Sequence, residues 1–237
     1  MRFAVAIFII FFGSACSHKV QNRQKVLELT KEQLIEINNA VIKKYDLKYK
    51  KITEPNIDEY LKNLVGKVTN DGELAKKMVM HIYQANDIFL FAGFTSDLYV
   101  SLLAISQNPY ESELAFLIAR QLVAIKQGFY RKQIESTKQL SEEETFKRLH
   151  ALNEDAQLEL DEKALQLIYN SHYDPRSAVS AIQRSGGEAA HIRLKRIREQ
   201  IAKLPPMRDP IVNTEGFKKI QSLISRKANN AGRSKVH

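Results

Sequence analysis

The chain contains a single cysteine, Cys16, so it cannot form an internal disulfide bond. Any folded domain must therefore be stabilised by a hydrophobic core. With 237 residues, of which 44% are apolar, the chain is long enough and apolar enough to build one. The cysteine lies close to the N-terminus, and this position is relevant to where in the cell the protein is located.

The first fifteen residues have the order of an export signal. Arg2 supplies a positive charge, an uncharged apolar run covers residues 4–12, and residues 13–15 are small. The apolar run is about nine residues, whereas a membrane-spanning helix needs roughly 20. These features predict that residues 1–15 are a signal peptide.

The sequence Gly-Ser-Ala-Cys over residues 13–16 resembles a bacterial lipobox. The resemblance implies that Cys16 is lipidated and that membrane lipid is a partner, since several acyl chains on one residue anchor a protein firmly. Residues 16–28 are predicted to be a tether. Because Ser17 and not Asp follows the cysteine, we expect a location in the cell envelope, at the outer membrane facing the periplasm. An ordinary signal peptide followed by an unrelated cysteine is the alternative.

The chain is basic, with 36 Lys and Arg against 27 Asp and Glu and a net charge of +9. A basic balance is typical of proteins that contact nucleic acid or an anionic membrane surface. Export argues against nucleic acid as a partner, and the sequence has no nucleic-acid-binding motif of interleaved aromatic and basic residues. Contact with anionic lipid and an ordinary solvated basic surface both remain open.

The spacing of apolar residues predicts a mostly helical α+β domain over residues 29–228, followed by a basic disordered tail over 229–237. Short apolar runs predict strands at Met78–Tyr83 and Ile88–Phe91, so a small sheet is expected near residues 78–94. The predicted helices begin near Thr30, Asn56, Ser96, Glu111, Ser141, Asp174, residue 188 and Thr214. The fifth of these is expected to run without a break over residues 142–171.

Three landmarks occur in a fixed order between Asn86 and Pro175. They are the segment Asn86–Phe94, the segment Glu113–Ala119, and Glu159-Leu160-Asp161 with Tyr173-Asp174-Pro175 after it. In order and spacing they resemble the membrane-associated, gluzincin-like zinc metalloendopeptidases that include HtpX, BepA and the CAAX prenyl protease. The resemblance implies a zincin-like fold in which long helices pack on a small sheet.

The same resemblance assigns roles to residues. It implies a peptide-binding edge strand at Phe91, Ala92, Gly93 and Phe94, a zinc ligand at Glu159, and a supporting carboxylate at Asp161. The family's H-E-x-x-H motif falls in this register on Arg120, Gln121 and Ala124.

These three residues cannot perform the family's chemistry. Ala124 has no donor atom, and Arg120 is a permanent cation without a lone pair for a metal. Gln121 cannot take a proton from water at neutral pH. We therefore predict a pseudopeptidase without catalytic residues, bound metal or cofactor, in which Arg120 pairs with Glu159. The alternative for Glu159 is a solvent-exposed carboxylate.

Three functions follow as expectations. The first is a non-catalytic module that binds envelope or outer-membrane proteins by strand addition. The second is an active zinc metalloendopeptidase in envelope protein quality control, which would require zinc. The third is a structural lipoprotein whose resemblance to the peptidases is only ancestral. A separate metal site at His150 and Glu154, four residues apart, is a weaker alternative.

Overall fold

The computed structural model describes residues 30–94, 96–135, 152–187 and 190–233. The predicted signal peptide, Cys16, the tether, His150 and the predicted helix start at Ser141 lie outside the described residues.

The described part is mostly helical, with one small mixed sheet, and is therefore α+β as predicted. The helices are α1 Lys31–Lys48, α2 Pro55–Thr69, α3 Gly72–Lys77, α4 Leu102–Ser106, α5 Glu111–Gln127, α6 Phe129–Glu135, α7 Glu154–Asn170, α8 Ser177–Ser185, α9 Ala190–Ile201 and α10 Glu215–Arg233. The strands are β1 Lys50–Lys51, β2 Val79–Gln84, β3 Leu90–Ala92 and β4 Asp97–Ser101.

The sheet has four strands in the order β1-β2-β4-β3. Strands β2 and β4 run parallel, while β1 pairs antiparallel with β2 and β3 pairs antiparallel with β4. Strand β3 is therefore an edge strand, joined by a short hairpin to the central strand β4. Helix α5 follows β4 after the short helix α4.

The two faces of the sheet bury different side chains because successive strand residues point to opposite sides. Met80, Ile82, Leu98 and Val100 face an aliphatic core that includes α2, α5, α7, α8 and α10. Tyr83 and Tyr99 face a second, aromatic core against α1, which also contains Tyr45, Phe91, Ala124 and Leu160. Two helical layers thus enclose the sheet.

The first helix begins as predicted. The Thr30 hydroxyl accepts a hydrogen bond from the Gln33 N–H, and the Gln33 side chain accepts one from the Thr30 N–H. These reciprocal bonds form a capping box. Helix α5 also has the predicted bounds, and it ends at Gly128, whose φ of 62° is the left-handed conformation that glycine tolerates best.

The prediction of a helix that begins near Ser96 is wrong for its first half, because residues 97–101 form strand β4. The segment carries β-favouring Tyr99 and Val100, and it is buried between β2 and β3. Its residues pair with strands on both sides, and its apolar side chains pack into both cores. The local spacing of apolar residues does not reveal either fact.

Three helix bounds also differ from the prediction. The helix expected to run unbroken over 142–171 is wrong at residues 152 and 153, which are not helical, and Asn153 caps α7 by accepting a hydrogen bond from the Ala156 N–H. Helix α2 begins at Pro55, with Glu54 and not Asn56 at its N-cap position. Helix α10 continues past the predicted end near Lys227 to Arg233, into the segment expected to be disordered.

Within the described ranges, no helix combines the length and apolar character that a membrane span requires.

Candidate functional site

The predicted site lies where α5 packs against α7. Arg120 projects from α5 and its side chain is only 13% exposed. Its Nε atom lies 2.6 Å from Asp161 Oδ1 on α7, an ion pair without a well-aligned hydrogen bond. Burial lowers the pKa of the Arg120 guanidinium, and Asp161 opposes this effect. An arginine remains charged under these conditions, so a cation lies buried between α5 and α7.

A second arginine completes the cluster from helix α9. Arg193 donates two hydrogen bonds to Asp161, from Nε to Oδ2 at 2.7 Å and from Nη2 to Oδ1 at 3.0 Å. Its side chain is 5% exposed and that of Asp161 is 2% exposed. Both oxygens of this carboxylate are therefore engaged, one of them twice. The three residues form a buried cluster that joins α5, α7 and α9.

The sequence did not suggest Arg193 as a site residue, although a signal was present. Arg193 lies four residues before Ile197, which is buried, so both residues share the inner face of α9. An arginine on the apolar face of a helix requires a buried acidic partner. Only the packing of α9 against α7 shows that this partner is Asp161.

The predicted pairing of Arg120 with Glu159 is wrong. Glu159 and Asp161 are two residues apart on α7, so they point to nearly opposite sides of the helix. Glu159 has a 48% exposed side chain and pairs at 2.5 Å with Lys163, one turn later. It lines a shallow groove between α7 and α9, away from Arg120. The alternative of a solvent-exposed Glu159 is the one that agrees with the structure.

The other two motif positions have structural partners. Ala124 is 1% exposed and packs in the aromatic core with Val123 and Leu160. Gln121 is 8% exposed, and its Oε1 accepts hydrogen bonds from the Ala92 N–H at 3.0 Å and from the Tyr130 hydroxyl at 2.8 Å. Burial raises the pKa of Tyr130 to about 12, so this hydroxyl remains a donor.

Gln121 also closes the predicted peptide-binding edge. Phe89 and Gly93, which flank β3, bond to Ser101 and Asp97 of β4, so the alternation along the strand points the Ala92 N–H away from β4. A peptide added to this edge would need that N–H, and Gln121 already accepts from it. Phe91, Ala92 and Gly93 are buried, and only Phe94 is partly exposed. In this structure the Ala92 N–H is therefore not free to bond an added strand.

Zinc does not fit this set of side chains. A catalytic zinc needs three donors and one open position. The pocket offers Arg120, Gln121, Ala124 and a carboxylate held by two arginines, while Glu159 faces elsewhere. Among the described residues, no group of three or more His, Cys, Asp or Glu is arranged to hold a metal ion.

A second buried polar cluster lies on the aromatic face of the sheet. His81 Nε2 lies 2.7 Å from Asp97 Oδ1, and Asn38 Nδ2 donates to Asp97 Oδ2 at 3.0 Å. The His81 ring stacks on Tyr99 with centroids 4.6 Å apart. This cluster attaches α1 to β2 and β4.

No family model matches the sequence, and no curated protein matches it either.

Proposed function

We propose that this protein is a lipid-anchored envelope protein whose peptidase-like domain does not hydrolyse peptides and acts through binding. The observation that carries the proposal is the buried ion pair between Arg120 and Asp161. A guanidinium stands where a zinc-binding histidine would project, and a positive charge opposes a divalent cation at that point.

The proposed relationship to zinc metalloendopeptidases has support in the order of the elements. An antiparallel edge strand, β3, pairs with β4 and is followed by α5, which carries the degenerate motif. Gln121 at the position of the general base contacts that edge strand directly. Helix α7, which carries Glu159 and Asp161, packs against α5. A zincin-like ancestor accounts for this arrangement.

The residues at the motif positions cannot bind zinc, but they make structural contacts. Arg120 and Gln121 each hold together elements that are distant in sequence, α5 with α7 and α5 with β3. These contacts give the altered residues a role in stability. They favour a domain retained for its surface over an enzyme that uses a divergent metal site.

Metal analysis with a hydrolysis assay tests the absence of catalysis. The purified protein is expected to contain less than about 0.1 zinc per chain after exposure to equimolar zinc, and to leave casein intact with or without chelator. An active member of the same peptidase family, assayed in parallel, shows that the conditions support cleavage. One zinc per chain together with chelator-sensitive cleavage would establish the enzyme and reject the proposal.

The anchor is tested separately through Cys16. Mass spectrometry of the wild-type protein from cell membranes should show an acylated N-terminal cysteine. The Cys16→Ser variant should lack the acyl chains and escape the membrane fraction while keeping the wild-type melting temperature. An unmodified cysteine in the wild-type protein would refute lipid anchoring without affecting the conclusion about catalysis.

Binding is tested by crosslinking in intact cells and recovery of the acylated protein. Envelope proteins should be enriched over a control lipoprotein of similar size expressed to the same level. Because Gln121 closes the β3 edge, Leu90→Pro on this strand should leave the captured proteins unchanged if they bind elsewhere. Recovery of no envelope protein above the control would favour a purely structural lipoprotein.

A further inference from the structure

One end of the molecule concentrates positive charge. The sequence over residues 43–51 is Lys-Lys-Tyr-Asp-Leu-Lys-Tyr-Lys-Lys, and it forms the end of α1 and all of β1. Its five lysines are exposed, and Asp46 is the one acidic residue in the segment. We call this end of the molecule, together with the adjoining residues 85–88, the lysine tip.

The lysine tip also carries the two most exposed large apolar side chains of the described residues. Leu47 is 80% exposed and lies among the lysines of α1, and Ile88 is 60% exposed in the connection between β2 and β3. Single exposed apolar residues are ordinary on protein surfaces. Here the two occur together and within a basic cluster, which is the composition of membrane-surface segments.

Polar contacts bring these two segments together. Lys48 Nζ lies 3.1 Å from Asp87 Oδ2, and the Tyr49 hydroxyl donates a short hydrogen bond to the same oxygen. The hydrogen bond from Tyr49 and the contact with Lys48 lower the pKa of Asp87, so this carboxylate stays charged at neutral pH. Ile88 is therefore held beside the end of α1, where Leu47 lies.

A rigid layer of aromatic rings supports the lysine tip. Phe89 lies 5.0 Å from Tyr45 and 5.2 Å from Tyr49, measured between ring centroids, and Tyr45 also contacts Tyr83 at 5.7 Å. These contacts fix the end of α1 on the sheet. The apolar side chains therefore project from an ordered base, so little conformational entropy is lost when they enter another medium.

We propose that the lysine tip docks on the anionic surface of the membrane that holds the lipid anchor. The five lysines and two carboxylates, Asp46 and Asp87, leave a net charge of +3, which complements acidic headgroups. Leu47 and Ile88 enter the boundary between headgroups and acyl chains. Contact with the bilayer orients the domain relative to the membrane.

The dimensions permit this arrangement. Helix α1 has 18 residues and is about 27 Å long, so the lysine tip lies that far from Thr30. The chain between Cys16 and Thr30 can span at most roughly 50 Å. An acyl anchor at Cys16 and contact of the lysine tip with the same bilayer are thus compatible. The proposal rests on the anchoring part of the proposed function and not on the loss of catalysis.

The test uses the acylated protein on vesicles. Because Cys16 is the sole cysteine and acylation blocks its thiol, Leu47→Cys provides one position for a polarity-sensitive fluorophore. On vesicles of phosphatidylcholine with 30% phosphatidylglycerol, its emission should shift to the blue and be quenched by a lipid-attached quencher. The same protein on pure phosphatidylcholine, or in 0.5 M salt, should show a water-exposed label.

Val79→Cys is the matched control label. Val79 is 50% exposed, but it begins β2, about 16 Å along the strand from the residues that pair with β1. Its label should report water on both vesicles. Equal water exposure of the two labels on anionic vesicles would overturn the proposal. A blue shift of the Leu47 label without vesicles that grows with protein concentration would assign the lysine tip to self-association and overturn it equally.

Charge variants measure the contribution of the lysines. Lys43→Gln with Lys50→Gln should weaken docking on anionic vesicles about 25-fold, at about fivefold for each lysine. Lys195→Gln with Lys203→Gln removes the same charge from exposed positions elsewhere and should leave docking unchanged. Equal weakening by both pairs would contradict a specific face. Failure of acylation, found by mass spectrometry, would concern the anchor alone; docking would then be measured with the fluorophore in a Cys16→Ser background.

Discussion

The protein buries one carboxylate, Asp161, between its helices and another, Asp97, beside its sheet, and the two are neutralised differently. Asp161, on α7, contacts the permanent cations Arg120 and Arg193. Asp97, on the aromatic side, contacts a histidine and the amide of Asn38. The first carboxylate depends on fixed opposite charge, whereas the second depends mainly on hydrogen bonds with groups that can rearrange. The same kind of side chain should therefore have different importance at the two positions.

Buried charges also constrain the residues that surround them. Once a buried carboxylate is present, removing its cations is costly because an unpaired charge remains in a medium of low polarity. Arg120 and Arg193 are thus constrained by Asp161 irrespective of catalysis. The neighbouring Gln121 is constrained in the same way by Ala92 and Tyr130.

The largest effect is expected at Asp161. Asp161→Asn leaves two buried guanidinium groups without a charged partner, so it should lower the free energy of unfolding by about 3–5 kcal/mol, measured by urea denaturation. Glu159→Gln makes the same chemical change two residues away in an exposed pair. It should cost less than about 1 kcal/mol. Similar losses for the two variants would refute the assignment of Asp161 as the buried partner.

Asp97→Asn should have a smaller effect, with a loss of about 1–3 kcal/mol in the same measurement. The amide of the new asparagine can still accept from Asn38 and form a hydrogen bond with the His81 ring, so both contacts can be kept. The difference between the stability losses of Asp161→Asn and Asp97→Asn thus measures how much more fixed charges stabilise a buried carboxylate than hydrogen bonds do. A larger loss at Asp97 would reverse the comparison between the two sites.

Gly93→Ala tests the packing around Asn38, which holds Asp97. A Cβ atom at Gly93 would lie 2.4 Å from Asn38 Oδ1 and 3.2 Å from the Tyr99 ring. Asn38 must move, and we expect a loss of roughly 1–2 kcal/mol in thermal unfolding. Gly72→Ala is the control, since nothing beyond its chain neighbours and its own helix backbone lies within 4 Å of a Cβ atom built there. Its stability should remain near wild type.

The smallest effect concerns a third buried carboxylate, Glu113, which is 0% exposed and lies 2.5 Å from Arg184. Burial raises its pKa above the ordinary value of 4.5, and Arg184 opposes this. Between pH 4.5 and the raised pKa, folded Glu113 retains a proton that the unfolded chain releases. This group therefore makes stability fall as pH rises.

Glu113→Gln removes that titration. Stability of the variant, measured by urea denaturation at several pH values above 4.5, should fall less with rising pH than that of the wild type. Arg184→Gln, in contrast, should steepen the fall, because burial then acts on the pKa of Glu113 without an opposing cation. Identical pH slopes in all three proteins would show that Glu113 does not titrate in this range.

The helix ends that the sequence predicted correctly are those marked by a strong local signal. Thr30 and Gly128 act locally, through hydrogen bonds or backbone conformation within a few residues, so their effect is visible in the chain itself. Strand β4 was missed because its conformation depends on pairing with β2 and β3. The start of α7 at Asn153 was missed although asparagine is a good cap, since the apolar stripe in the sequence continues across it.

The candidate site shows the same division. Sequence order was sufficient to place Arg120, Gln121 and Ala124 on one helix and to predict that they cannot perform zinc chemistry. It was not sufficient to choose between Glu159 and Asp161 as the partner of Arg120, because both lie on α7 within one turn. The rotation of α7 about its own axis determines which of the two faces α5, and in the structure it is Asp161.

The sequence by itself determined which side chains are present and which chemistry they exclude, because donor atoms, charges and local caps belong to individual residues. The tertiary structure alone decided which of them meet. It brought Arg193 from a distant helix to Asp161, turned Glu159 to solvent, and used Gln121 to close the edge strand. Contacts between distant segments depend on how helices and strands pack, and that packing is a property of the whole fold.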